Sequence, residues 1–208
     1  MPDWGRQRAA LAERLGRSGQ FDEAVVDALA AVPRHRFVPE SRREASYKDH
    51  PLPIGEGQTI SAPHMVVRML DLLDLQHGDT VLEIGTGCGY HAAVAAELVG
   101  PEHVYSVEYR ASLAERARET LSSLGYGDVS IRVGDGKRGW PEHAPYERTY
   151  LTCAAPSLPQ PVVEQTQPGG LVLAPVGRDR QRLVSARRHP DGSLSTDTHG
   201  AVRFVRLQ

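Results

Sequence analysis

The sequence has 208 residues, with 24 basic and 26 acidic side chains and a formal charge of −2. Its length predicts one domain, residues 1–208, that can bury a core without disulfides or metal ions. The balanced charge indicates no polyanion-binding surface, so we expect no nucleic-acid partner. Because neither a signal peptide nor a run of about 18 apolar residues is evident, we expect a cytoplasmic protein with no membrane partner. We also expect a monomer.

Residues 1–60 are predicted to form helices followed by a substrate-side loop. Apolar residues at helical spacing predict helices over residues 4–15 and 21–31, and Val32-Pro33 ends the second because proline lacks an N–H group. Prolines at 39, 51 and 53 and little periodicity predict an irregular segment over residues 35–57. Long irregular segments in compact domains are often lids or binding loops.

Residues 61–177 are predicted to be the core, and their first helix follows Ser61. We predict Ser61 as the N-cap, Ala62-Pro63 in the first turn, and an apolar helix face between Val66 and Leu73.

The stretch Val81-Leu-Glu-Ile-Gly-Thr-Gly-Cys-Gly-Tyr90 is the strongest functional signal. It predicts a buried strand over residues 80–84, a tight turn at three glycines, and a helix over residues 91–99. Glycines let the backbone N–H groups and the helix N-terminus approach a ligand closely, which is typical of a nucleotide-type site. The third glycine comes one residue too early for the dinucleotide fingerprint G-x-G-x-x-G.

An acidic residue, Glu108, ends the next predicted strand, residues 104–107. A carboxylate at this position can accept hydrogen bonds from both hydroxyls of a ribose. The alternative is a doubly wound domain with a plain glycine turn and a surface glutamate.

The remaining elements alternate, which predicts an α/β, doubly wound and mostly parallel sheet. They are a helix over 111–124, strands over 129–133 and 148–153, a helix over 159–166 and a strand over 170–175. Residues 178–208 are predicted to add two antiparallel edge strands, residues 183–187 and 202–207, joined by a turn at 189–192. The prediction is therefore a seven-stranded sheet.

Several motifs together resemble one enzyme family. Glu83-x-Gly85-x-Gly87-x-Gly89 resembles the first motif of S-adenosylmethionine-dependent methyltransferases. Val32-Pro-Arg-His-Arg-Phe-Val-Pro39 and the run from Tyr47 to Gly-Gln-Thr-Ile-Ser61 resemble the N-terminal signature of the protein-L-isoaspartate O-methyltransferases. Further matches are Gly134-Asp-Gly136, Ala144-Pro-Tyr146, Ala154-Ala-Pro156, Pro168-Gly-Gly170 and Pro175-Val-Gly177. The resemblance implies a Rossmann-like methyltransferase fold, S-adenosyl-L-methionine as cofactor and S-adenosyl-L-homocysteine as product.

The resemblance also implies a substrate and a chemistry. Family members methylate the free α-carboxylate of isoaspartyl residues in damaged proteins and peptides, and the ester then closes to a succinimide that reopens partly as normal aspartate. Such a carboxylate titrates well below neutrality, so it arrives ionised and needs no general base. Catalysis then consists of aligning oxygen, methyl and sulfur and excluding water.

The family's substrate residues map onto the segment before the core helix. By resemblance, Ser61 is the active-site residue whose hydroxyl contacts the substrate carboxylate, with Thr59 and Ile60 beside it. Ser61 could instead only cap its helix, and the two roles are compatible because a helix N-terminus also favours an anion.

The family's cofactor residues map onto three strand ends: Glu83, Gly85, Gly87, Gly89, Glu108, Asp135 and Gly136. Asp135 would hold the adenine amino group, or it is only a turn aspartate between glycines. Glu83 would support the cofactor loop, or it is a purely structural buried acid. No metal ligand set is predicted, and Cys88 and Cys153 are expected to be free thiols, a redox pair being the less favoured alternative.

Two other functions stay open on sequence alone. A relative that methylates a normal aspartyl side chain in one dedicated peptide would carry the same motifs. This alternative is supported by Thr149 and Tyr150, which make one core strand more polar than is usual in the family, and by Arg206, which stands where the family usually has proline. A non-catalytic protein could also retain S-adenosylmethionine as a structural ligand.

Overall fold

The computed structural model describes residues 2–208, which form six α-helices, nine strands and short 3₁₀ turns. The helices are α1 (Trp4–Gly16), α2 (Glu23–Ala31), α3 (Pro63–Leu73), α4 (Tyr90–Val99), α5 (Ala111–Ser123) and α6 (Gln160–Gln165). The strands are β1 (Leu52–Gly55), β2 (Gln58–Ile60), β3 (Val81–Ile84), β4 (Val104–Glu108), β5 (Ser130–Val133), β6 (Tyr146–Leu151), β7 (Thr166–Val176), β8 (Gln181–Arg188) and β9 (Leu194–Val202).

Seven strands form one sheet in the order β5-β4-β3-β6-β7-β8-β9. Strands β3 to β7 run parallel, and β8 and β9 are antiparallel at one edge. The predicted doubly wound, mostly parallel fold with an antiparallel edge is confirmed. Strand β3 lies between β4 and β6, where the strand order reverses, and ligands of such sheets bind in the crevice at the carboxyl ends of these strands.

The sheet is covered on both faces, which explains why every residue of β3 is buried and all but Glu83 are apolar. Val81 packs in one core cluster with α3 and α4, whereas Leu82 and Ile84 pack in the other with α6. All three side chains are at most 1% exposed. Strands buried on both faces lose the alternation of apolar and polar residues.

The polar residues of β6 are satisfied inside the core. The hydroxyls of Thr149 and Thr166 share a buried hydrogen bond of 2.8 Å, and the Tyr150 hydroxyl donates to Glu83 at 3.0 Å. Buried polar groups are tolerated when they are paired in this way. The polarity of this strand therefore has a structural explanation.

The segment predicted as irregular contains a small hairpin. Strands β1 and β2 pair antiparallel, with Leu52 opposite Ile60, and both of these residues are buried. Upstream of the hairpin, the buried Arg34 donates through Nε to the Ser46 carbonyl at 2.9 Å and lies over the Tyr90 ring at 4.9 Å. These contacts hold the hairpin region against the start of α4.

Two predictions about local structure are wrong. Ser61 is not an N-cap, because proline's preference for the first helical position puts Pro63 there and makes Ala62 the cap. The last strand is residues 194–202 and not 202–207. Its first residues are exposed on both faces of an edge strand, so the sequence shows no alternation that would reveal it. Within residues 2–208, no helix is long and apolar enough to cross a bilayer.

Candidate active site

The glycine turn that follows β3 lies at the carboxyl ends of β3, β4 and β6. Gly85, Gly87 and Gly89 all have positive φ, at 101°, 57° and 86°. A Cβ atom at Gly85 would overlap the Thr152 hydroxyl, so a side chain is excluded there by contact as well as by conformation. Gly89 caps α4, which begins at Tyr90.

A cavity lies at this turn, beyond the ends of β3, β4 and β6. Seven of the predicted site residues line it: Thr59, Ile60, Ser61, Gly85, Gly87, Glu108 and Gly136. Three others, Glu83, Gly89 and Asp135, do not line it. The structure therefore gathers residues from the N-terminal hairpin, the glycine turn and two further strand ends around one space.

Glu108 ends β4 and is 6% exposed at the cavity wall. Its Oε2 accepts from the Gly87 amide at 2.8 Å and its Oε1 from the Arg110 amide at 2.9 Å. A carboxylate offers about four acceptor positions, so about two remain for donors from a ligand. The geometry suits a diol whose two hydroxyls donate side by side.

Glu83 lies underneath the glycine turn and is 0% exposed. The hydroxyls of Ser106 and Tyr150 donate to its two oxygens, and Thr86 in the turn bonds the same Ser106 hydroxyl. Burial raises the pKa of Glu83 to about 8. In this structure the side chain supports the turn through Ser106 and Thr86 and does not face the cavity.

The loop after β5 presents its backbone to the cavity. Gly136 lines the cavity, and a Cβ atom there would overlap the Ile84 side chain. Asp135 accepts from the Lys137 amide at 3.0 Å, as a turn aspartate does, and its side chain is half-buried. One Asp135 oxygen is thus used to shape the loop.

Ser61 lies between β2 and α3, at the cavity wall next to the hairpin. It is half-buried, and within residues 2–208 its hydroxyl makes no hydrogen bond. The neighbouring Ile60 is buried at the end of β2, opposite Leu52 of β1, and this pairing fixes the backbone on which Ser61 stands. An unengaged hydroxyl on a fixed backbone is available to a substrate.

His91 is a polar cavity residue that the motif did not identify as functional. It is 6% exposed, and neither ring nitrogen has a partner among the described residues. Its ring centroid lies 4.7 Å from that of Tyr150, and burial lowers its pKa to about 3. The imidazole is therefore neutral near pH 7 and a poor general base. It offers one donor and one acceptor at the cavity wall.

Both cysteines line the cavity as free thiols. Burial raises the pKa of Cys88 to about 11 and that of Cys153 to about 12. Both are therefore protonated near neutrality, and a protonated thiol is a poor nucleophile.

Sequence reasoning missed the residues that close the cavity. Thr152 follows β6 and Tyr109 follows β4, so the rule that ligands bind at carboxyl strand ends could have identified both. The segment 203–208 also contributes: the Ala154 amide donates to the Val205 carbonyl at 2.7 Å, and the Leu207 amide donates to the Ala154 carbonyl at 2.9 Å. No local signal in the sequence predicts this tertiary contact. We call residues 203–208 the closing segment.

Comparison with known proteins identifies the family. The family model described as protein-L-isoaspartate(D-aspartate) O-methyltransferase matches residues 6–208. Protein-L-isoaspartate O-methyltransferase 2 of Archaeoglobus fulgidus is 51% identical over 207 residues, covering 99% of this chain and 94% of the relative. A solved structure named protein-L-isoaspartate O-methyltransferase superposes with a TM-score of 0.90 at 29% identity, covering 97% of this chain and 66% of that one.

The same fold is seen in a more distant structure. It is a putative protein-L-isoaspartate O-methyltransferase from Plasmodium falciparum in complex with S-adenosyl-L-homocysteine. It superposes with a TM-score of 0.82 at 24% identity, covering 96% of this chain and 97% of that one. From the family model and the close relatives together, the chain belongs to the protein-L-isoaspartate(D-aspartate) O-methyltransferase family, whose members are S-adenosylmethionine-dependent enzymes.

Proposed function

We propose that this chain methylates the free α-carboxylate of isoaspartyl residues in damaged proteins and peptides, and so starts their repair through a succinimide. The observation that supports this most directly is the shared cavity. It joins the Thr59-Ile60-Ser61 segment to the glycine turn and Glu108. Substrate and cofactor residues assigned from separate motifs thus meet in one space.

The cavity fits S-adenosyl-L-methionine. Glu108 has acceptor capacity left for the two ribose hydroxyls. Gly85 and Gly87 leave room for the methionine part, and the backbone at Gly136, with Asp135 beside it, borders the place assigned to adenine. When bound, this cofactor supplies an electrophilic methyl group on a positively charged sulfur.

Ser61 orients the attacking carboxylate in this proposal. Its hydroxyl donates one hydrogen bond to the anion, and Thr59 and Ile60 border the same position. The carboxylate is already ionised near neutrality, so no residue of this chain would have to remove a proton from it. With the cofactor bound, its oxygen would take the methyl group as the sulfur–methyl bond breaks and S-adenosylhomocysteine leaves. The neutral His91 is consistent with this, because a side chain with a pKa of about 3 has no role as a base near pH 7.

One experiment tests the proposed reaction against its alternatives. Matched isoaspartyl and aspartyl peptides are incubated with S-adenosylmethionine, and ester and succinimide are followed by mass spectrometry. We expect the isoaspartyl peptide to be methylated and the aspartyl peptide to be nearly ignored. Equal rates would instead favour a dedicated aspartyl substrate. Absence of ester, with cofactor binding seen by calorimetry, would make this a non-catalytic binding protein.

We also propose that the chain acts as a cytoplasmic monomer. Few large apolar side chains are exposed among residues 2–208: Tyr109 at 57%, Val133 at 44% and Leu194 at 36%. So small a set does not supply the area of a stable interface. Two free thiols suit a reducing compartment. Light scattering after size exclusion measures the oligomeric state, and a mass near 22.7 kDa is expected.

A further inference from the structure

An arginine-rich groove lies at one end of the β8–β9 hairpin. Five arginines line it, against one acidic residue, Asp179; they are Arg178, Arg180, Arg182, Arg203 and Arg206. All five are exposed. This concentration of positive charge stands out on a chain whose formal charge is −2. We call this the arginine groove.

The arginine groove is continuous with the proposed active site. Thr59, Val205 and Arg206 line both the groove and the cavity. Ser61 and Arg203 share a further depression between the two. A bound peptide that places one residue beside Ser61 can therefore extend along the arginine groove.

The positive charge of the groove is largely uncompensated. Arg206 faces Asp179 at 3.4 Å in an exposed pair. The other four arginines make neither an ion pair nor a side-chain hydrogen bond within residues 2–208. Their planar guanidinium groups remain free to pair with carboxylates, which they match in geometry.

Apolar residues also line the groove. They are Pro51, Val202 and Phe204, of which Val202 and Phe204 are half-buried. An open groove that offers both apolar and positively charged side chains fits an extended peptide better than a small polar anion.

We propose that the arginine groove binds the flanking residues of the substrate and makes this enzyme prefer isoaspartyl sites that lie next to acidic residues. The inference rests on the proposed function, because it names the substrate class of the same site. Exposed ion pairs are weak one by one and screened by salt. Several pairs together give a preference of roughly three- to thirtyfold at low ionic strength.

The test uses isoaspartyl peptides that differ only in their flanks. Two carry a pair of glutamates three and four residues before or after the isoaspartyl residue, and the third carries glutamines at both places. The kcat and KM for methylation are measured for each peptide, at low and high salt. The binding of fluorescein-labelled copies, with S-adenosylhomocysteine present, is measured separately because it does not depend on turnover.

Wild-type protein is compared with the triple variant Arg178→Gln/Arg180→Gln/Arg182→Gln, whose three positions lie outside the cavity. The matched control, Arg6→Gln/Arg14→Gln/Arg17→Gln on α1 and at its C-cap, removes the same number of exposed charges. We expect at least one glutamate peptide to have a lower KM and Kd than the glutamine peptide, and the difference to shrink with salt. In the triple variant the KM ratio should approach one while the kcat for the glutamine peptide is kept.

The outcomes separate the two proposals. If isoaspartyl peptides are methylated but glutamate and glutamine flanks behave alike, or if the triple variant keeps the preference, the groove inference is wrong and the proposed reaction stands. If no peptide is methylated yet the triple variant loses a binding preference for glutamate, the proposed reaction is wrong and only the peptide-binding part of the groove inference stands. A short single-stranded DNA that binds through the same arginines, without any preference among the peptides, would overturn the groove inference in favour of a polyanion site.

Discussion

The Glu108 carboxylate accepts a hydrogen bond from the Gly87 amide at 2.8 Å, so the residue assigned to the ribose also holds the glycine turn in place. The side chain therefore contributes to the ligand site twice, once through its free acceptor positions and once through the turn. A change at Glu108 is expected to alter both.

The first prediction concerns this double role. Glu108→Ala removes two charge-assisted hydrogen bonds to a ribose, each contributing roughly 1.5 to 3 kcal/mol, and leaves the Gly87 amide unpaired. We expect calorimetry to show at least a hundredfold loss in S-adenosylmethionine affinity. Glu108→Gln keeps one oxygen acceptor, so its affinity for S-adenosylmethionine should lie between those of Glu108→Ala and the wild type. Equal affinities for all three proteins would exclude Glu108 from the ribose site.

The second prediction concerns Ser61, which is not a helix cap in the structure. Ser61→Ala should therefore leave thermal stability nearly unchanged, within about 0.5 kcal/mol. If the hydroxyl orients the substrate carboxylate, kcat/KM should fall roughly 10- to 150-fold, while cofactor affinity stays the same. Ser122→Ala, at an exposed position on α5, is the matched control and should keep wild-type turnover. Full turnover in well-folded Ser61→Ala would remove Ser61 from the active site.

The third prediction concerns His91, whose ring nitrogens have no partner within residues 2–208. His91→Leu removes two buried polar atoms, so the ligand-free protein should be as stable as wild type or more stable by about 1 kcal/mol. If the imidazole bonds the cofactor or its product, their affinity should fall by roughly fivefold or more. His91→Gln keeps a donor and an acceptor and should recover part of that loss. Unchanged affinity in His91→Leu would show that the ring meets only apolar parts of the ligand.

The fourth prediction is a pH dependence of stability set by Glu83. In the unfolded chain Glu83 loses its proton near its ordinary pKa of 4.5, whereas burial raises the folded pKa to about 8. Between these values the folded state holds more protons, so its stability falls as pH rises, by on the order of a few kcal/mol at most. Above pH 8 the loss is complete.

Glu83→Gln tests this directly, because it keeps the shape of the side chain without the titration. Denaturant unfolding of both proteins at several pH values from 5 to 8.5 should show similar free energies of unfolding near pH 5. As pH rises further, the free energy of unfolding should fall for the wild type and stay higher for Glu83→Gln. Parallel curves would mean that Glu83 has an ordinary pKa in the folded protein.

Much of the site could be predicted because it depends on local chemistry. The glycines after β3 and the acid at the end of β4 could be assigned because ligands of parallel sheets bind at the carboxyl ends of the strands. The N-cap at Ser61 was mispredicted because two local preferences competed, and Pro63 decided where α3 begins. The mispredicted last strand is an exposed edge, whose polar sequence carries no periodic signal. His91 could not be assigned, since its missing partners become evident only after Tyr150 and the cavity surround it.

The closing segment builds one wall of the cavity outside the seven-stranded sheet. Residues 205–207 lie at the cavity wall and are joined to the loop at Ala154 through the Val205 carbonyl and the Leu207 amide. Ala154 lies after the end of β6, so these two bonds stand outside the ladder of the central sheet. Arg206 also pairs with Asp179, and Val205 and Leu207 pack against the core cluster of Leu82 and Ile84. This wall of the cavity therefore rests on one isolated bridge and on side-chain packing, and not on a continuous strand ladder.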